Sequence, residues 1–198
     1  MIKVNGISEQ ELKQIKFLIG EAFVTNELFH EFGNISQRNE LVMKYMDAYV
    51  QYVYESGSLY RTDDGEGYIG LAYSNEKHLF VKLKMLYKML KCIPKEILKK
   101  YMQHVKQISG ANEKYAKHPH VEVLMVCVKK QSQGKGIARE LVEYAKEMAA
   151  NRNVPLLFDT DMTEYAAMYQ HLGCTLYNKV TAKNGVTRYC LVWTLSCH

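Results

Sequence analysis

A short glycine-rich stretch, residues 133–138, has the spacing of a backbone site for a phosphate group. An apolar, largely β-branched run at 121–128 predicts a strand before it, and the apolar spacing after it predicts an amphipathic helix. A strand, a glycine turn and a helix in this order direct several backbone N–H groups and the helix N-terminus at an anion. Gly134 and Gly136 suit such a turn because they lack a Cβ and adopt positive φ angles. We therefore expect a phosphorylated ligand here.

Two common nucleotide-binding motifs do not fit this turn. A Walker A loop needs a glycine five residues before its Gly-Lys pair and a Ser or Thr after that pair, but Lys129 and Gly136 occupy those positions. A dinucleotide fingerprint of the form G-x-G-x-x-G needs a third glycine where Arg139 stands. The turn therefore requires a different kind of phosphate ligand.

The pattern that fits is Q/R-x-x-G-x-G/A, which Gln133, Gly136 and Ala138 satisfy. In this motif, and from about residue 121 to residue 195, the chain resembles the GNAT superfamily of N-acetyltransferases, which use acetyl-coenzyme A as cosubstrate. The resemblance implies that the loop and the following helix N-terminus hold the coenzyme A pyrophosphate, and that the preceding strand offers main-chain contacts to the thioester and the pantetheine arm. The cofactor-binding residues that it implies are Val126, Cys127, Val128, Gln133, Gly134, Lys135, Gly136, Ile137, Ala138 and Arg139. A tight turn without a ligand is the alternative, since short glycine motifs recur by chance.

Acyl transfer from a thioester to an amine needs a neutral amine, a polarised carbonyl group and a proton for the leaving thiolate. Tyr169 lies in a stretch that matches the family's Y-x-x-x-G-F ending, so the resemblance implies that it donates this proton. A phenol with an ordinary pKa of about 10 suits that role. Glu122, eleven residues before Gln133, has the spacing of the general base in the histone-acetyltransferase branch. A solvent-exposed structural glutamate is the alternative, and His118 and His120 are alternative bases.

Two positions depart from the family pattern. Met162 stands where many relatives have an asparagine that touches the coenzyme A arm, and Cys174 replaces the aromatic residue of the Y-x-x-x-G-F ending. These departures leave open a coenzyme A binding, regulatory module without turnover. A covalent route through Cys127 would need a thiolate, and an apolar strand raises the pKa of a thiol. Direct transfer in a ternary complex is therefore expected.

These residues must be positioned by the helices and strands around them. The order of the predicted helices and strands indicates an α/β fold with a mixed, mostly antiparallel twisted sheet and helices on both faces. Apolar spacing predicts helices at 8–23, 38–55, 133–151 and 163–172, and strands at 59–62, 68–73, 121–128, 156–160, 175–180 and 186–195. Residues 78–107 predict two more helices, broken near Pro94. We expect a single GNAT-like acetyltransferase domain over 1–198, with a helical insertion at about 77–117 before the central strand.

The insertion is similar to that of the subgroup that resembles puromycin acetyltransferase, in which extra helices cover the acceptor side. The family also lines its acceptor site with the segment between the first two helices. Phe29, His30 and Phe32 are therefore candidates for substrate binding by resemblance, and core packing is the alternative. The expected acceptor is a primary amine of a small molecule or of an amino terminus.

Composition narrows the class of protein further. Of the 198 residues, 47% are hydrophobic and 24% are charged, which is typical of one globular domain. No apolar run approaches the roughly 20 residues needed to span a bilayer, and the N-terminus lacks the apolar core of a secretory signal. We therefore predict a cytoplasmic protein without a membrane partner, either a monomer or a homodimer.

The cysteines argue against a metal site, and the charge distribution argues against a nucleic-acid-binding site. Five cysteines without close pairing favour free thiols, and no histidine, cysteine or carboxylate set has zinc spacing, so no metal is predicted. Residues 77–117 contain eleven lysines and two glutamates but no arginine. This composition favours the solvated faces of amphipathic helices over an anionic partner, and we predict no nucleic acid partner. The cysteines are Cys92, Cys127, Cys174, Cys190 and Cys197.

Overall fold

The computed structural model describes residues 1–195, so Cys197 lies outside the described residues. Seven strands form one open sheet: β1 (Ile2–Lys3), β2 (Leu59–Arg61), β3 (Gly67–Tyr73), β4 (Val121–Val128), β5 (Leu156–Thr160), β6 (Thr175–Thr181) and β7 (Thr187–Trp193). Their spatial order is β1-β2-β3-β4-β5-β7-β6. Only β4 and β5 pair in parallel, and the other neighbours are antiparallel. The predicted mixed, mostly antiparallel sheet is confirmed.

Helices lie on both faces of this sheet, as predicted. Ser8 begins the first helix by accepting a hydrogen bond from the Glu11 backbone N–H at 3.2 Å, and Gly57, with φ of 67°, follows the end of the second. A 3-10 helix (Glu27–Phe32) lies between these two helices. The α-helices in the described part of the chain are α1 (Glu9–Phe23), α2 (Asn39–Glu55), α3 (Leu79–Cys92), α4 (Lys95–Ile108), α5 (Glu113–Ala116), α6 (Ile137–Ala150) and α7 (Thr163–His171).

Two apolar cores hold the layers together. On one face, α1, α2 and the 3-10 helix cover the sheet, and residues of α3 and α4 join the same core. On the other face, α6 and α7 cover β3, β4, β5 and β7 through residues such as Leu141, Ala145 and Phe158. The predicted helices around Pro94 are therefore present, as α3 and α4. One boundary was predicted wrongly, since the helix after the glycine turn begins at Ile137 and not at Gln133.

The central strand β4 carries a β-bulge in its middle. Gly70 of β3 faces Met125, but the next residue, Leu71, faces Val123, which leaves Leu124 without a partner on β3. Tyr49 of α2 donates a hydrogen bond from its hydroxyl to the Leu124 carbonyl oxygen, at 3.3 Å. The bulge shifts the alternation of side chains along β4 by one residue. Side chains that would otherwise share one face of the strand therefore lie on opposite faces before and after the bulge.

Strands β4 and β5 separate just after this bulge. They pair at only three positions, and the last pair joins Val123 to Phe158. Beyond that pair, residues 124–128 have no strand partner on the β5 side. The main chain of β4 is therefore open along that edge, where the family resemblance implies main-chain contacts to the cosubstrate.

Candidate active site

The glycine turn has the backbone conformation that its composition predicts. Gly134 has φ of 77° and Gly136 has φ of 84°, and Gly136 is the residue that precedes helix α6. A Cβ at either position would meet no protein atom within 4 Å. Packing therefore does not demand glycine here, while the positive φ angles favour it. The space beside the turn is open to a ligand that approaches the first N–H groups of α6.

A cavity of about 380 Å³ lies against this turn. Its rim is the turn and the first residues of α6, and its wall includes Val126 and Val128 of β4. The cavity therefore combines backbone amides at the turn with an apolar wall on β4. The amides suit a phosphate group, and the apolar wall suits a flexible arm attached to that phosphate. Lys135 and Arg139 are exposed and are not among the residues that line it. The full lining is Val126, Val128, Ser132, Gln133, Gly134, Gly136, Ile137, Ala138, Tyr165, Met168 and Tyr169.

Glu66, in the turn between β2 and β3, anchors the glycine loop. One carboxylate oxygen accepts a hydrogen bond from Lys129 Nζ at 2.8 Å, and the other accepts one from Ser132 Oγ at 2.6 Å. The Lys129 backbone N–H also donates to the Glu66 carbonyl oxygen at 2.9 Å. The side-chain contacts, first with Lys129 and then with Ser132, lower the pKa of Glu66. They tie the start of the loop to the sheet, and the sequence analysis did not identify them.

A second cavity, of about 660 Å³, occupies the gap between β4 and β5. It extends from the C-terminal part of α1 past the open edge of β4 to the end of β5, and Glu21 and Asp159 are among its lining residues. Five residues line both cavities: Val126, Val128, Gln133, Tyr165 and Tyr169. The two spaces therefore meet where β4 and β5 separate.

Tyr169 lies at this junction. Its side chain is buried, with 7% of its surface exposed, and its ring lies 4.6 Å from the ring of Phe158, centroid to centroid. Burial raises the pKa of Tyr169 well above its ordinary value, so the phenol stays protonated at neutral pH. Tyr165, one helical turn earlier, is 41% exposed and lines the same two cavities. The i, i+4 spacing of the two tyrosines could have identified Tyr165 from the sequence.

Glu122 lies on β4 two residues before the bulge. It faces Ala72 of β3 and Leu157 of β5 and is half-buried. Burial raises the pKa of its carboxyl group, and the negative charge of Asp159 raises it further, while His120 and Arg188 oppose the shift. A carboxylate in this environment accepts a proton more readily than an exposed one. Glu122 does not belong to the described lining of either cavity.

The two histidines near Glu122 differ in exposure. His120 is buried and its Nδ1 lies 2.7 Å from the His118 carbonyl oxygen, whereas the His118 side chain is exposed. The alternative bases of the sequence analysis therefore occupy unlike environments.

An ion cluster that the sequence analysis missed lies beside Glu122. The Arg188 guanidinium binds Asp161 through two nitrogens, at 2.6 and 2.8 Å, and reaches Asp159 at 3.3 Å. Asn112 donates to the other oxygen of Asp159 at 2.5 Å. Burial raises the pKa of Asp159 even so, with Arg188 opposing the shift. In the sequence, the signal for this cluster is the pair Asp159 and Asp161 at the end of a buried strand. Their partner, Arg188 of β7, could not be identified from the sequence.

Cys127 is buried on β4, with 3% of its surface exposed. Burial raises the pKa of its thiol to about 12. At neutral pH the thiolate is therefore scarce, as the apolar strand predicts, and the residue lacks the activation that a nucleophilic cysteine requires.

The three acceptor-side candidates occupy two environments. Phe29 and Phe32 are buried in an aromatic cluster with Tyr45 of α2 and Tyr101 of α4, whose hydroxyls lie 2.9 Å apart. His30 is exposed and lines a separate, open cavity of about 720 Å³ with residues of the loop before α2. The glycine turn, Tyr169 and the open edge of β4 thus come together, while these three residues are not among those that line the two joined cavities.

Residues 1–195 contain neither a candidate metal site nor a candidate membrane-spanning helix. No group of three or more histidine, cysteine or carboxylate side chains is arranged to hold a metal ion in that part of the chain. None of the helices formed by these residues has the length and hydrophobicity needed to cross a membrane.

Comparisons with known proteins agree with this architecture. Residues 101–173 match the family model for an acetyltransferase (GNAT) domain, whereas no curated protein matches the sequence significantly. An agmatine N-acetyltransferase in its apo form is 12% identical, with a TM-score of 0.60 and coverage of 96% of this chain and 97% of that one. Arylalkylamine N-acetyltransferase 2 from Aedes aegypti is 16% identical, with the same TM-score and coverages. The NatC complex bound to Gag peptide and CoA contains a chain that is 13% identical, with a TM-score of 0.53 and coverages of 98% and 97%.

At these identities the structures show a shared fold, and the family model identifies the segment that contains the glycine turn and Tyr169. Residues 101–173 are therefore similar in sequence to the GNAT acetyltransferase domain, and the chain as a whole has a GNAT-like fold.

Proposed function

We propose that this protein transfers an acetyl group from acetyl-coenzyme A to a primary amine, by direct transfer in a ternary complex. The observation that supports this most strongly is the gap between β4 and β5, where a cavity at the glycine turn meets a second cavity and Tyr169 lines both. A group-transfer enzyme needs two such spaces with one proton donor between them. A module that only binds coenzyme A needs one.

The glycine turn and β4 would hold the cosubstrate. The N–H groups around Gly134, Gly136 and Ile137 bind the pyrophosphate, because the start of α6 carries a partial positive charge and unpaired donors. The open edge of β4 at Val126, Cys127 and Val128 offers main-chain groups to the pantetheine arm and the thioester oxygen, as in relatives. Lys135 and Arg139 contribute positive charge beside the turn.

Two residues would move protons. Glu122, whose pKa is raised, accepts the proton of the amine through a water molecule, and Tyr169 donates a proton to the leaving thiolate. The raised pKa of Tyr169 keeps the donor protonated before transfer. Cys127 stays a thiol and forms no acetyl intermediate.

The acceptor would enter through the cavity between α1 and β4, where the Glu21 carboxylate can meet a cationic amine. Asp159 lines the same cavity but is paired with Arg188, and Lys129 and Lys130 also belong to the lining. Solved structures with the same fold include enzymes named for agmatine and for arylalkylamines, and a complex bound to a peptide. We propose a small-molecule amine or an amino terminus for this chain. From the sequence we also propose membership of the subgroup that resembles puromycin acetyltransferase and a cytoplasmic location.

A panel of amines and a Tyr169→Phe variant test the proposal. We expect the parent protein to acetylate at least one amine, and the variant to bind coenzyme A with unchanged affinity but to lose about a hundredfold in kcat. Tyr165→Phe is the matched control, since it removes a hydroxyl from the same two cavities one helical turn away.

The alternative is a coenzyme A binding, regulatory module without turnover, which Met162 and Cys174 favour because they depart from the family pattern. Calorimetric binding of coenzyme A without acetylation of any amine in the panel would support the module. No binding of coenzyme A at millimolar concentration would refute both functions.

A further inference from the structure

Helix α3 exposes a continuous apolar face to solvent. Leu79, Leu83, Leu86 and Leu90 recur at helical spacing, and Phe80 and Tyr87 widen the same face. All six are exposed, from 37% for Leu86 to 87% for Phe80. The core-facing side of α3 is the opposite one, where Met89 is buried and Met85 is partly buried. An apolar patch of this extent on one helix marks an interaction surface.

Lysines border this apolar face on both sides. By helical periodicity, Lys82 lies along one edge and Lys91 along the other. Neither has an acidic partner within ion-pair distance among residues 1–195. Lys84 and Lys88, on the side of Lys91, instead pair with Glu55 and Asp47 of α2 and tie α3 to the core. The border of the face therefore carries two lysines that form no ion pair with the residues in the described range 1–195.

Exposed lysines also precede and follow α3 along the chain. They are Lys77, Lys95, Lys99 and Lys100, and the exposed acidic residues in the same stretch are Glu76 and Glu96. A second copy of this chain would bring the same positive borders together across a two-fold axis, which like-charge repulsion disfavours. The occupant of the face is therefore expected to be anionic.

The shape of the face favours a lipid surface over a protein. The face belongs to a single helix, its most exposed residue is Phe80, and none of the three cavities described above is lined by an α3 residue. A protein partner that binds a single helix in this way supplies its own apolar groove, whereas lipid chains adapt to a convex apolar ridge without one. Lysine stems that border such a ridge place their ammonium groups at the level of the lipid headgroups.

We propose that the α3 face docks the protein on anionic membranes, with the six apolar side chains inserted at the interface and Lys82 and Lys91 on the headgroups. This binding is peripheral and requires no membrane-spanning helix, and it replaces the expectation from the sequence that the protein has no membrane partner. It does not depend on the chemistry proposed for the gap between β4 and β5, although the charge of Lys82 also acts to lower the pKa of Glu122.

Flotation with vesicles tests the proposal on the intact protein. Vesicles of phosphatidylcholine with about a third phosphatidylglycerol are expected to carry the protein, vesicles of phosphatidylcholine alone to carry little, and high salt to release it. Phe80→Gln should lower the partition coefficient about tenfold, because it removes one fully insertable aromatic ring. Phe17→Gln is the matched control, since Phe17 is a 57% exposed phenylalanine on α1 and its loss should leave binding unchanged. Lys82→Gln with Lys91→Gln should also lower binding about tenfold.

Thermal unfolding of each variant checks that these surface changes leave the fold intact. Failure to float with anionic vesicles would overturn the proposal and leave the face to a protein partner. Equal binding to neutral vesicles would refute the role of the lysines. A concentration-dependent dimer in sedimentation that Phe80→Gln abolishes would assign the face to a second copy instead.

Discussion

Replacing Gly67 with alanine tests how the sheet positions the glycine turn. Gly67 begins β3 under the first turn of α6. A Cβ at this position would lie 2.5 Å from Ile137 Cγ2 and 3.1 Å from Leu141 Cδ1. Ile137 is the first residue of α6 and lines the cavity at the turn. The substitution therefore pushes on the N-terminus of the helix that is proposed to bind the pyrophosphate.

The expected cost follows from two opposing effects. Inserting a methyl group into a packed contact costs about 1–3 kcal/mol. Restricting the unfolded chain by changing glycine to alanine returns about 0.4–1 kcal/mol. The net loss in the free energy of unfolding for Gly67→Ala should therefore be about 1–2 kcal/mol. A start of α6 displaced by a few tenths of an ångström should also weaken coenzyme A binding about tenfold, or 1.4 kcal/mol.

A double-mutant cycle isolates the contact. Ile137→Ala removes the Cγ2 atom that the new methyl group would strike, so Gly67→Ala should cost little in that background. We expect a coupling energy of about 1–2 kcal/mol between the two positions, measured by urea unfolding, with calorimetry reporting coenzyme A affinity. Additive losses in stability, or full coenzyme A affinity in Gly67→Ala, would refute the reasoning.

Three further predictions concern the gap between β4 and β5. Burial raises the pKa of Glu122, so this carboxyl group holds a proton more tightly in the folded protein than in the unfolded chain. The stability that this group contributes is therefore present below its ordinary pKa of 4.5 and is lost as pH rises through the raised pKa. Glu122→Gln should therefore increase the free energy of unfolding at neutral pH but not at acidic pH. It should also remove the acidic limb of the pH profile of kcat/KM. A variant that keeps this limb would exclude Glu122 as the base. Cys127→Ala should retain activity within about threefold and lose about 1 kcal/mol of stability, since the thiol is buried and protonated, and an inactive but folded variant would point to a covalent route. Arg188→Met should cost about 3 kcal/mol or more in urea unfolding, because it leaves Asp159 and Asp161 without their partner, and a neutral effect would show that the cluster is not structural.

Much of the local architecture was predictable from the sequence because its signals are local. The capping of α1 by Ser8, the break at Pro94 and the positive φ angles at Gly134 and Gly136 each depend on a few neighbouring residues. The glycine turn and Tyr169 lie in motifs of the same short range. Residue type and spacing therefore determined that this chain has a glycine turn before α6, at which we propose phosphate binding, and a tyrosine at the end of α7.

Tertiary structure alone decided how these parts meet. The bulge at Leu124 and the separation of β4 from β5 depend on strand register, which no local pattern encodes. The partnership of Arg188 with Asp161 joins residues far apart in sequence, for the same reason. Helical spacing predicted α3 but could not tell which of its two apolar sides packs inward, because burial depends on the neighbour that the fold supplies. That choice left Phe80 in solvent and Met89 in the core.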